Sequence, residues 1–157
     1  MTSYVLREGK SLKADEAFFA WTSGDLDRMV SALAVRTNPV DRHFLLMGIV
    51  AATYKKRNDP LARRTCIDVG RMHVAEFPAI ARALRADMGG VLPRVATFAH
   101  LATVLAEDGA VAEAIAVCEA AKLHGLHDGT QGDYSGRIER IRKRAARARY
   151  PRQKCLG

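Results

Sequence analysis

The stretch that decides the fold is Phe98–Leu126, FAHLATVLAEDGAVAEAIAVCEAAKLHGL. Its first half carries Phe98, Leu101, Ala102 and Leu105 at i, i+3, i+4 and i+7, the spacing of one apolar helix face. Asp108-Gly109 then turns the chain. Ala110 to His124 predicts a second helix, with Ala114, Cys118 and Ala121 on its inner side, and Gly125 is placed to end it as a left-handed cap. The segment therefore predicts two antiparallel helices joined by a tight turn.

Working outward, the same grammar recurs. Toward the N-terminus, Ala14, Ala17, Phe18 and Trp21 predict a helix over about 12–22, and Asp25 predicts the N-cap of another reaching about Val35. Asn38-Pro39 opens a longer helix to about Arg57. Asn58-Asp59-Pro60 sets an N-cap and an N1 proline for one running to about Phe77. Pro78 predicts a break there, followed by a short helix to about Met88 that Gly89-Gly90 stops. Toward the C-terminus, Tyr134 to about Arg149 predicts a last helix with Ile138, Ile141 and Ala145 inward, and Pro151 ends it. The expected fold is all-α, one domain over 1–150 with an irregular insertion at 78–93, followed by a frayed basic tail at 151–157.

Composition agrees. The chain has 157 residues, 48% hydrophobic and 27% charged, the balance of a globular protein rather than a disordered one. No run approaches the ~20 apolar residues of a membrane span, and Met1–Lys10 lacks the apolar core of a secretory signal. Cys66, Cys118 and Cys155 are odd in number and widely spaced, which fits neither a disulfide framework nor a zinc knuckle. A cytoplasmic setting is expected, with no membrane partner. The net charge of +8 is concentrated at one end: Arg137–Gly157 holds nine basic residues against Glu139, and the remaining residues carry sixteen charges of each sign.

The tight turns are regularly spaced. From Gly24 to Asn58 is 34 residues, and the Phe98–Leu126 hairpin places large and small residues at matching intervals on its two helices. In these features the chain resembles the tetratricopeptide repeat, with one good unit at about 94–126 and two degenerate ones before it. Ala102 stands where that family favours glycine, Leu105 where it favours tyrosine and Leu126 where it favours proline. The resemblance implies helix pairs stacked as a short right-handed α-solenoid that binds a protein or peptide partner, or a second copy, without catalysis. It would aim Ala96, Ala99, Thr103 and Ala106 at the binding groove. Because these are small and mostly apolar, a helix or another subunit is the expected occupant rather than a charged tail.

The alternative is a nucleic-acid-associated accessory protein. Arg137, Arg140, Arg144 and Arg147 follow i, i+3, i+7 and i+10, and Arg142, Lys143 and Arg149 widen this basic stripe, which suits phosphate or an acidic protein. No phosphate-loop, dinucleotide or hydrolase motif occurs, so no catalytic residue and no cofactor is assigned. His124-x-x-His127-Asp128 lacks helical i, i+4 spacing and is read as no metal site. His43, His73 and His100 are expected at the core edge or on the surface.

Overall fold

A computed structural model describes residues 2–150. The described residues are mostly helical, with seven α-helices among them preceded by one small β-hairpin. The helical content is compatible with the all-α expectation, to which the hairpin is a small addition. Strands β1 (Tyr4–Arg7) and β2 (Lys10–Lys13) pair antiparallel, with Val5 opposite Leu12 and Arg7 opposite Lys10. Glu8 and Gly9 between them both have positive φ (51° and 77°), the primed two-residue turn that matches strand twist. A two-stranded ribbon is marginal alone. This one is tied down by Arg7, which reaches the buried Asp41 carboxylate at 2.8 Å, where Trp21 Nε1 (3.0 Å) and Asn38 Nδ2 (2.6 Å) also donate. Burial alone would raise the Asp41 pKa, but these donors outweigh it and the carboxyl titrates below its ordinary range.

Helix α1 (Glu16–Ser23) therefore starts later than the apolar spacing predicts, because Leu12 belongs to β2. Asp15 caps it through Phe18 N, and Asp25 caps α2 (Leu26–Ser31), which closes in a 3₁₀ turn at Ala32–Ala34. Helix α3 (Pro39–Lys55) begins on Asn38 with proline at its start. Helix α4 (Pro60–Asp87) begins the same way on Asp59.

The predicted break at Pro78 does not occur. Helix α4 runs through it for 28 residues, so 78–87 is helix rather than an irregular insertion and the irregular loop is only 88–96. The missing N–H costs about 3 kcal/mol in a helix interior. Ile80, Ala81, Ala83 and Leu84, all buried beyond it, offset that cost. Helices α5 (Thr97–Glu107), α6 (Val111–Leu123) and α7 (Asp133–Arg149) lie within a residue or so of expectation, except that α5 begins at Thr97, after Pro93 and Arg94 have passed in the loop.

Each helix packs on the next, most extensively α3 on α4. The odd-numbered helices also meet in succession: α1 with α3, α3 with α5, and α5 with α7. Between them Leu45, Leu46, Ile49, Phe77, Leu84, Phe98, Leu101 and Leu105 form a continuous buried core. Gly70 lets α4 approach α5 closely, since a Cβ there would sit 3.1 Å from Leu101 Cδ1. No helix among the described residues is long and apolar enough to cross a membrane. The tail at 151–157 lies outside the described residues.

Candidate functional site

A polar concavity lies where α3, α5 and α7 converge, a hollow of about 210 Å³. Its floor is the small-residue face of α5. Ala96, Ala99 and Thr103 line it, each half-buried. Ala106, two turns beyond Ala99, opens instead on a separate cleft of about 960 Å³ with Ala110, Val111, Ile141 and Ala145. The four predicted groove residues thus divide between two hollows.

The walls of the smaller hollow come from elements far apart in sequence. Tyr54, near the end of α3, stacks on His100 of α5 with ring centroids 4.0 Å apart and planes 22° from parallel. The Arg57 guanidinium lies over the other face of Tyr54 at 4.1 Å and is held by Glu107 at 3.1 Å. Burial, then the positive charges of Arg137, Arg57 and Arg94, push the His100 pKa below its ordinary value, so this ring stays neutral at physiological pH.

Opposite stands the loop between α6 and α7, organised around Asp128. Its side chain is fully buried: Oδ1 accepts from Thr130 N (2.9 Å) and Thr130 Oγ1 (2.7 Å), and Oδ2 from Arg137 Nε (2.8 Å). Burial alone would raise its pKa, but these donors bring it down to about 2. Arg137 also donates through Nη1 to Thr103 Oγ1 at 3.0 Å, and Thr103 in turn donates to Ala99 O at 2.8 Å. From the α4–α5 loop, Arg94 donates through Nη2 to the Asp128 carbonyl at 2.8 Å. Gly129 makes that approach possible: it holds φ +74°, and a Cβ there would meet the Arg94 guanidinium at 3.3 Å. Tyr134 completes the wall; its side chain is 1% exposed and its hydroxyl has no hydrogen-bond partner among the described residues.

The basic stripe is consequently not one surface. Arg137 points inward to Asp128 and Thr103, and Arg140 is spent on Thr130 Oγ1 (2.9 Å) and Gln131 O (3.0 Å). Arg142 pairs with Glu139 at 3.3 Å. Lys143, Arg144, Arg147 and Arg149 are exposed and have no carboxylate partner among the described residues. Of these, Arg144 and Arg149 rim the larger cleft, whose opposite lip carries Glu107 and Glu113. Both acids are already engaged, Glu107 by Arg57 and Arg63 and Glu113 by Arg71.

His43 and His73 depart from their expected places at the core edge or on the surface. His43 and His73 are fully buried and bonded to each other, Nδ1 to Nε2 at 2.9 Å, with His73 Nδ1 2.7 Å from Thr97 Oγ1. His124 packs edge-on against Phe77, while His127 is exposed and bonds Asp133 at 3.1 Å. Among the described residues no three of His, Cys, Asp and Glu gather as metal ligands would. Cys66 and Cys118 are buried and unpaired, and burial raises both thiol pKa values, that of Cys118 to about 11. Sequence spacing signalled the α5 face but missed Arg94, His100, Asp128 and Tyr134 as its companions. The one available signal was the density of polar and glycine residues at 127–132, which reads as a connector until it is seen folded back on α7. No family model, curated protein or solved structure matches the chain.

Proposed function

We propose that this chain is a non-catalytic interaction module of tetratricopeptide-like type. On this view α1/α2, α3/α4 and α5/α6 are successive pairs of a short right-handed solenoid, α7 covers the last pair, and the odd-numbered helices supply a face for a segment of a partner protein. The observation that carries it is the shared hollow: Ala96, Ala99 and Thr103 of α5 open on the same space as Tyr54 of α3 and Arg137 and Tyr134 of α7. Successive contact between odd-numbered helices supports the same view. A cytoplasmic setting suits the unpaired thiols.

A photo-cross-linking residue at Ala99 tests it, with one at Leu123, 90% exposed on α6, as control. The expected result is a discrete protein adduct from Ala99 only. Equal labelling from both positions, or none from Ala99, overturns the proposal.

The second reading, a nucleic-acid accessory protein, is favoured by the exposure of Lys143, Arg144, Arg147 and Arg149. Removing residues from Arg137 onward does not test it, because Arg137 and Ile138 belong to the packed structure. Substitutions confined to the four exposed cations do.

A further inference from the structure

We propose that the hollow between α5 and α7 is an oxyanion subsite, in which Arg94 and Arg137 receive a carboxylate or phosphate group carried by the bound partner segment. This rests on the interaction module proposed above and gives its face a ligand chemistry.

Charge is the first ground. Two guanidinium groups line the hollow, and the one carboxylate beside them, Asp128, is saturated by Thr130 and Arg137. Arg94 meets only a carbonyl dipole, so one full positive charge stays uncompensated by any carboxylate among the described residues. Its Nε and Nη1, and Nη2 of Arg137, have no acceptor among those residues, leaving donors from two planar forks for an incoming oxyanion.

Size is the second. At about 210 Å³ the hollow is smaller than the roughly 300–1,000 Å³ of a site enclosing a whole small molecule, so it suits a head group presented by something larger. His100, faced by Tyr54 and Arg57 from the α3 side, Arg94 and the Asp128 loop with His127, and Arg137 of α7, reports on occupancy. An anion beside these guanidiniums weakens the field that disfavours imidazolium, so the His100 pKa rises when the site fills.

The full chain is titrated by NMR with inorganic phosphate and separately with acetate, following His100 and Tyr134. A saturable response to either probe is expected, together with an upward movement of the His100 titration. Tighter binding of phosphate assigns a phosphoryl group to the partner, and tighter binding of acetate a carboxylate. R94Q weakens binding about tenfold, as loss of a charge-assisted bond predicts. R144Q/R147Q binds as wild type. Absence of a saturable response to both probes, binding that survives R94Q, or binding lost in R144Q/R147Q overturns the assignment. If Ala99 cross-links a partner and neither anion binds, the oxyanion subsite falls while the interaction face stands.

Discussion

At the scale of single residues, the unusual chemistry lies in the core. His43 and His73 share one hydrogen bond, Thr97 holds the outer nitrogen of His73, and His43 Nε2 has no partner among the described residues. A single proton between the facing nitrogens satisfies both rings, whereas two imidazolium rings would point N–H at N–H. Burial depresses both pKa values, that of His43 to about 4 and that of His73 to about 3, where the neighbouring charges of His43 and Arg42 add to the effect. Because both folded values lie below the ordinary value of about 6.5, the unfolded chain binds more protons as pH falls through that point. Stability is therefore complete above about pH 6.5 and declines from there toward pH 4. Two such groups remove on the order of 4 kcal/mol between pH 7 and pH 5. Urea unfolding at the two pH values should show the loss, and H43L/H73L should flatten it; an equally steep dependence in the variant would exclude the pair as its source.

At the scale of elements, the departures from sequence expectation have two causes. Local propensity lost to burial at Pro78, where the exposed proline sits in a helix held on both sides by Phe77, Ile80 and Leu84. Replacing it should restore a backbone donor and raise stability. P78A is expected to gain about 1–3 kcal/mol, read as a higher urea midpoint with unchanged slope, and a midpoint no higher than wild type would contradict this account. The hairpin shows the second cause. Val5 and Leu12 are its only inward apolar pair, too weak a pattern to predict a strand, and the clamp that fixes it is Asp41, more than thirty residues downstream of Arg7. The α5–α6 hairpin was legible because its periodicity, turn and cap are all local.

At the scale of the molecule, charge is rearranged rather than merely displayed. Two of the seven stripe cations pair with carboxylates, Arg137 with Asp128 and Arg142 with Glu139, while Arg140 meets only neutral oxygens and four more are exposed with no carboxylate partner among the described residues. Neutralising five phosphates sets a log–log salt slope no steeper than about −4.5 for duplex DNA. Duplex affinity measured against salt should stay within that bound and vanish when Arg140, Lys143, Arg144, Arg147 and Arg149 are changed to glutamine. A steeper slope would return Arg137 and Arg142 to the phosphates and contradict the ion pairs described.

By itself the sequence determined most of the helices, with the break at Pro78 the exception, and the caps at Asp25 and Asp59, since each depends on residues within a few turns of one another. It also determined that Arg137, Arg140 and Arg147 share a helix face. Only the tertiary structure decided which way that face turns at each point, and so placed Arg137 against Asp128 and Thr103 rather than in solvent. The histidine pair, the hairpin clamp and the convergence of Tyr54, Arg94, His100 and Tyr134 were likewise decided by packing. Each joins residues from separate elements of the chain, and such contacts are set by how helices bury their apolar faces against one another, which no local spacing encodes.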